Sequence, residues 1–210
     1  MSNKNTNIKK FCEKNSNNIK LIIMFLLSVI ILTIATQGAF SFNKMGLVAY
    51  LFPEMGVLAL GMMLAMTRYI PQAHNSIQEG KWDRKSFTGI QVYGKTLGII
   101  GVGRIGSRVA KRMQAMEMTV IGYDPYITEE RAQQIGIELV DFDTLLAKSD
   151  YITIHTPLTK ETENMINAES IAKMKDGVIF INVSRGAVAD ENALVTAVEN
   201  GKIGGLGVDV

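Results

Sequence analysis

Three groups of residues have the types and spacing to do chemistry. The first is Gly101-Val-Gly103-Arg-Ile-Gly106. It directly follows the apolar run Thr96–Ile100 and opens an amphipathic stretch. In that setting Gly101 permits a tight turn, and Gly103, lacking a Cβ, lets backbone approach a pyrophosphate. Gly106 permits close helix–strand packing, and the N–H groups and dipole of the following helix face the phosphates. The second is Asp124, which ends the run Thr119–Tyr123, eighteen residues past Gly106. Its carboxylate can accept two hydrogen bonds from ribose hydroxyls and would repel a 2′-phosphate. The neighbours Pro125-Tyr126 bring no arginine, so the pattern favours NAD over NADP. The third is Arg185 in Asn182-Val-Ser-Arg-Gly186, where a guanidinium can grip a carboxylate bidentately. Plainer readings stand beside these: a glycine-rich turn without a ligand, Asp124 as a turn residue before Pro125, and Arg185 as a surface ion pair. No residue cluster reads as a metal site.

Such residues need a sheet to hold them. Over 89–210, short apolar runs alternate with amphipathic stretches. Strands are expected at Thr96–Ile100, Thr119–Tyr123, Ile137–Val140, Tyr151–His155, Val178–Val183 and Gly205–Asp209. Helices are expected at Ile105–Glu117, Glu129–Ile135, Asp143–Lys148, Ala168–Met174 and Glu191–Asn200. This alternation predicts an α/β fold, a doubly wound parallel six-stranded Rossmann sheet. Continuous runs such as Val178-Ile-Phe-Ile181 suit strands buried on both faces.

Composition divides the chain. It has 210 residues, is 47% hydrophobic, and carries a net charge of +2, too small for a nucleic-acid binder. One cysteine, Cys12, excludes a disulfide scaffold. Residues 1–66 hold six Lys, two Glu and no Arg or Asp, a net charge of +4; residues 67–210 sum to −2. The division predicts a basic polar tail over 1–20, a hydrophobic membrane segment over 21–66, a linker or interdomain helix over 67–88, and the dinucleotide domain over 89–210. Leu21–Phe40 is uncharged, apolar all round, and long enough to cross a bilayer. Met45–Met66 reads as a second span or as a soluble helix packed on the domain. Pro53 predicts a break there, leaving Met55–Met66 as the safer helix. Gly46, Gly56 and Gly61 are easier to accommodate in a membrane helix than a soluble one. By the positive-inside rule the tail stays cytoplasmic, and two spans return the NAD domain to the cytoplasm; a cytoplasmic chain without spans is the alternative.

Tyr93-Gly-Lys-Thr-Leu-Gly-Ile-Ile-Gly-Val-Gly-Arg-Ile-Gly, Tyr123-Asp-Pro-Tyr, His155-Thr-Pro-Leu-Thr, Met174-Lys-Asp-Gly and Asn182-Val-Ser-Arg-Gly-Ala resemble the NAD-dependent D-2-hydroxyacid dehydrogenases, in their phosphoglycerate dehydrogenase-like branch. The resemblance reaches back through Arg68-Tyr-Ile-Pro-Gln-Ala-His74 to Leu58. It implies that Arg104 and Ile105 meet the pyrophosphate through their backbone and that Asp124 holds the ribose. It further implies that Thr156 and Pro157 line the cofactor site, that Arg185 binds the carboxylate of a 2-hydroxy or 2-keto acid, and that Asp209 lies near the nicotinamide amide. Family members are usually homo-oligomers. Residues 1–66 also resemble the amino-terminal end of a sugar ABC-transporter permease, on the basic tail, a first span, Phe42-Asn43 and Gly56-Val-Leu-Ala-Leu-Gly-Met.

The family's acid/base histidine, with its orienting glutamate, would follow Val210. His155 matches the family's strand-end histidine on the adenine side, and His74 lies in the interdomain helix. Three organisations are open: an NAD-binding fragment behind an unrelated leader joined near Leu58–Thr67, a membrane-tethered NAD-binding module without catalysis, or a soluble dehydrogenase subunit whose leader folds onto the domain. The first two predict a chain that binds NAD and turns over hydroxy acids negligibly.

Overall fold

A computed structural model describes residues 44–210, with side chains from residue 55 onward. Helix α1 (Lys44–Thr67) and helix α2 (Ile70–Gln78) precede the alternating region. Then follow β1 (Thr96–Ile100), α3 (Arg104–Gln114), β2 (Thr119–Tyr123), α4 (Glu129–Ile135), β3 (Glu138–Leu139), α5 (Phe142–Lys148) and β4 (Tyr151–Ile154). The chain finishes with α6 (Ala168–Lys173), β5 (Val178–Asn182), a 3₁₀ turn (Gly186–Val188), α7 (Glu191–Glu199) and β6 (Ile203–Val208). All strand pairs are parallel, in the order β3-β2-β1-β4-β5-β6. This is the doubly wound sheet that the alternation predicts.

Alternate strand residues feed two cores. Leu97, Ile99, Val120, Tyr151, Ile179 and Ile181 meet α1, α3 and α4 on one face. Ile100, Ile121, Ile152, Ile154, Val178 and Phe180 meet α5, α6 and α7 on the other. Every residue of β4 and β5 is buried, as continuous apolar runs require. Helix starts are set by side chains that accept from first-turn N–H groups: Thr128 for α4, Asp141 for α5, Asn167 for α6 and Asp190 for α7. Asp150 fixes the start of β1 by accepting from the Thr96 N–H at 2.8 Å, and it also pairs with Lys175 at 2.9 Å.

The second apolar run corrects two expectations. Pro53 does not end the helix, which runs from Lys44 to Thr67. Nor is this run a span: Ala59 and Met63 are fully buried in the sheet's core, and Met62 and Met66 pack on it. Gly56 faces the Val109 side chain, 3.4 Å from where its Cβ would stand, so here glycine serves close helix–helix approach. Opposite Met66, Gly205 and Gly207 of β6 leave room for the thioether. At the end of α1, Thr67 Oγ1 donates to Met63 O at 2.6 Å and lies 3.2 Å from the Tyr151 hydroxyl. Among the described residues no helix is long and apolar enough to cross a membrane. The candidate span Leu21–Phe40, and most of the permease-like pattern, lie outside the described residues.

The remaining shifts are at element ends. Strand β3 has two residues because it pairs with β2 alone, through Ile121↔Glu138 and Gly122↔Leu139. Helix α3 stops at Gln114, and Glu117, with φ of 62°, turns the chain toward β2. Strand β6 starts at Ile203 rather than Gly205, through the pair Val178↔Ile203 and a register shift after it.

Because Met63 is a core residue, Met63→Ala should destabilise the protein by about 2–5 kcal/mol in urea unfolding. A change under about 0.5 kcal/mol would mean that this face of α1 is not packed on the sheet.

Candidate functional site

The winding of the sheet reverses between β1 and β4. The chain leaves β1 toward β2 and β3, then returns to β4 on the other side, so the loops after β1 and β4 diverge and open a crevice at the strands' carboxyl ends. The glycine motif lies there. Gly101 has φ of +89°, and a Cβ on it would stand 2.9 Å from the His155 carbonyl carbon and 3.0 Å from Thr156 Cγ2. Only glycine fits this turn. The Gly101 N–H donates to Tyr123 O, and the His155 N–H to Ile100 O, which ties the three strand ends together.

Gly103 is the opposite case. It precedes α3 in extended conformation, and a Cβ on it would meet no protein atom within 4 Å. The space over its backbone is open to a ligand. No side chain caps this end of α3, and the first intrahelical bond runs from the Ser107 N–H to Gly103 O at 3.0 Å. Arg104 and Ile105 occupy the first turn, with Ile105 leaning on the core. Gly106 is buried, and a Cβ there would collide with the Gly101 carbonyl oxygen. The three glycines therefore answer three separate constraints.

Asp124 is half-buried at the end of β2. Its Oδ2 accepts from the Val102 N–H at 2.8 Å, inside the glycine loop, and its Oδ1 accepts from the Tyr126 N–H at 2.9 Å. It is thus a turn residue as well as a candidate ligand. A carboxylate has about four acceptor positions, so two remain for the hydroxyls of a ribose. Asp124 and Gly103 line one cavity of about 510 Å³, and so do Arg108 of α3 and Arg131 of α4. The neighbours Pro125-Tyr126 bring no arginine along the chain, but the fold adds arginines from two helices to the cavity lining.

Beyond β4 the chain continues as His155-Thr156-Pro157. Burial pushes the His155 pKa down to about 4, so the ring is neutral at ordinary pH. Its Nε2 lies 3.1 Å from Thr153 Oγ1. Thr156 Oγ1 is buried with no protein partner, alone in this among the described residues. A buried hydroxyl of this kind calls for a ligand or a water. Together with the open space over Gly103 and the free acceptor positions of Asp124, it fits a dinucleotide.

Arg185 stands at the same edge of the sheet, after β5. Asn182, whose side chain is buried, shapes its loop. Asn182 Oδ1 accepts from the Ser184 N–H and hydroxyl at 3.0 and 2.9 Å, and its Nδ2 donates to Arg185 O at 2.9 Å. Arg185 Nη1 donates to Ser184 O at 2.6 Å, the side chain is exposed, and no carboxylate pairs with it among the described residues. Asp209 extends the pairing of β6 with β5, its N–H donating to Asn182 O at 3.1 Å. The expected site residues therefore lie in loops, or in the first turn of α3, at one edge of the sheet. Asn182 was quoted in the sequence only as part of a motif. Its buried amide becomes informative only once the loop it braces is seen. Among the described residues no His, Cys, Asp and Glu cluster could hold a metal.

A family model described as "D-isomer specific 2-hydroxyacid dehydrogenase, NAD binding domain" matches residues 60–210. The chain belongs to this family. NAD is the cofactor of this domain. Curated relatives include a D-3-phosphoglycerate dehydrogenase of Archaeoglobus fulgidus, 55% identical over 152 residues, which are 72% of this chain and 29% of that protein. A hydroxypyruvate reductase of Thermotoga maritima is 49% identical over 158 residues, 75% of this chain and 51% of that one. Among solved structures, a D-lactate dehydrogenase of Aquifex aeolicus, complexed with NAD and lactic acid, superposes with a TM-score of 0.73 at 38% identity, covering 77% of this chain and 49% of that one. A D-lactate dehydrogenase of Escherichia coli gives 0.73 at 37% identity, covering 76% and 50%. The chain thus spans between about a third and a half of the length of these proteins.

Gly103→Ala separates ligand space from protein space. It should leave the melting temperature nearly unchanged and weaken NAD by about tenfold or more in calorimetric titration, since the added methyl enters the space left for the pyrophosphate. Unchanged NAD affinity would place the phosphates elsewhere.

Proposed function

We propose that this chain is the coenzyme-binding module for hydride exchange between NAD and a small 2-hydroxy or 2-keto acid, 3-phosphoglycerate among them. We propose further that residues 1–210 alone bind NAD without appreciable turnover. The observation that carries this reading is the open backbone at Gly103 beside a carboxylate already fixed to the glycine loop. In it, Asp124 holds the adenine-side ribose, the first turn of α3 at Arg104 and Ile105 faces the pyrophosphate, and Thr156 and Pro157 border the cofactor. Asp209 stands near the nicotinamide amide.

NAD, when bound, would supply the acceptor for the hydride that leaves the substrate's carbinol carbon. Arg185 presents a planar guanidinium with no competing carboxylate among the described residues, suited to gripping the substrate's carboxylate and polarising its carbonyl. A guanidinium carries N–H donors and no acceptor, so it cannot take the hydroxyl proton. The two histidines do not replace that base: His74 is exposed on α2, and His155 is held near Thr153 with a pKa near 4. General acid–base help contributes about 10²–10⁴-fold. The test follows NADH formation by residues 1–210 with a panel of D-2-hydroxy acids at alkaline pH, alongside NAD titration. Binding without turnover is expected. Turnover near about 10 s⁻¹, abolished by Arg185→Ala, would reveal a base within this chain; absence of NAD binding would end the proposal.

The burial of α1 also bears on location. The two-span arrangement needed Met45–Met66 in lipid, but Ala59 and Met63 face the sheet. A single span with the basic tail inside would place the domain on the side where NAD is scarce. This favours the cytoplasmic alternative for the NAD domain. After carbonate washing of membranes the chain should be found in the supernatant; retention with the lipid pellet would restore a span.

A further inference from the structure

The loop that carries Arg185 is held from beneath by a buried amide. Asn182 ends β5 and is 1% exposed, and its backbone pairs with Ile154 of β4 on one side and Val208 of β6 on the other. The sheet therefore fixes it from both flanks. Its side chain bonds forward along the chain. Oδ1 accepts from the Ser184 N–H and hydroxyl, and Nδ2 donates to Arg185 O at 2.9 Å. Ser184 O then accepts from Arg185 Nη1 at 2.6 Å, which folds the guanidinium back over the same loop. The amide, Ser184 and the guanidinium thus form one chain of hydrogen bonds, and its anchored end is a strand residue. The Val188 N–H also donates to Arg185 O, at 3.4 Å, where the 3₁₀ turn begins. A carboxamide offers an acceptor and a donor from one planar group, and this loop uses both.

We propose that Asn182 is a positioning residue for 2-keto acid recognition: through this chain of bonds it aims the Arg185 guanidinium at the ligand's carboxylate without touching the ligand. The inference rests on the reading of Arg185 as the carboxylate-binding residue, and it adds a requirement on the chemistry of position 182. The group there must accept from Ser184, donate to Arg185 O and carry no charge. An ionised carboxylate meets only the first condition, since it has no proton to give. It would also add a negative charge to the guanidinium's own loop, where it repels the ligand's carboxylate. Protonated, the same carboxyl regains a donor and loses the charge. The isosteric change Asn182→Asp therefore makes the aim of Arg185 depend on pH. Burial, and the Arg185 carbonyl oxygen that faces the group, raise the pKa of such a carboxyl; the exposed guanidinium offsets part of this through water. The titratable groups at the neighbouring strand ends are His155 after β4, neutral above its pKa of about 4, and Asp209 after β6. The unaltered chain carries both and reports their share.

The test uses the full chain with bound NADH and titrates oxamate, an unreactive analogue of a 2-keto acid, by calorimetry at about pH 5 and about pH 8, on either side of that transition. The unaltered chain should bind oxamate with nearly equal affinity at both. Asn182→Asp should weaken oxamate by about tenfold or more at the higher pH, the scale of one charge-assisted hydrogen bond. At the lower pH it should recover to within about threefold of the unaltered chain, with NADH affinity unchanged throughout. Ser184→Ala removes one bond to Oδ1 and adds no charge, so it should weaken oxamate by about threefold at both pH values. Equal oxamate affinity in Asn182→Asp and the unaltered chain would overturn the positioning role. So would a loss that is the same at both pH values, or one shared by NADH, which marks a defect of the fold. If Asn182→Asp does not fold, Ser184→Ala decides, and its unchanged affinity for oxamate would overturn the role. Oxamate binding that is absent from the unaltered chain, or indifferent to Arg185→Ala, would instead overturn the reading of Arg185 on which the inference rests.

Discussion

A parallel sheet whose strands are apolar on both faces must be covered on both faces, and the rest of this molecule follows from that constraint. Burying Leu97 and Ile99 on one side and Ile100 on the other obliges the chain to send helices in both directions from β1. It does so by winding one way to β3 and the other way from β4. The reversal leaves a gap that no crossover helix fills, and the loops after β1 and β4 border it. The site is thus a by-product of how the core is covered. The chemistry-bearing residues need only occupy the loops that the topology delivers there.

The sequence disclosed this part well because its signals were local. Strands β1 and β2 begin and end where expected: each is a continuous apolar run of five residues closed by a residue the loop requires, Gly101 for one and Asp124 for the other. The expected bounds of α4 were also met, since Thr128 caps its start and Gly136, with φ of +75°, ends it. Bounds drifted where a partner strand decides them, as in β3 and β6, because pairing register is not written in one strand's own residues.

Helix α1 was the harder case for a physical reason. Lipid and protein core both select apolar side chains, so hydropathy alone cannot separate them. What separates them is the grain of the surface. Gly56, Ala59 and Met63 recur at helical spacing on the buried side, Gly56 meets Val109, and Met62 and Met66 meet the glycines of β6, a pattern of small and pliant residues fitted to particular neighbours. Likewise, the arginines near Asp124 were invisible because charge was sought along the chain. Arg108 precedes Asp124 on α3 and Arg131 follows it on α4, and the fold folds both back to it.

The double anchoring of Asp124 has a thermodynamic meaning for recognition. A side chain that must be immobilised on binding subtracts about 0.5–1.5 kcal/mol from affinity. Here both oxygens are held by backbone N–H groups, one in the glycine loop and one in the loop after β2, before any ligand arrives. The rotamer entropy of that carboxylate is spent during folding, so the ribose meets a rigid, prealigned acceptor. The same two bonds link the glycine loop to the loop after β2, so loosening either loop would also blur the aim of the carboxylate. Tightness of binding and local order of the mouth are therefore one property of this protein, set by a single side chain.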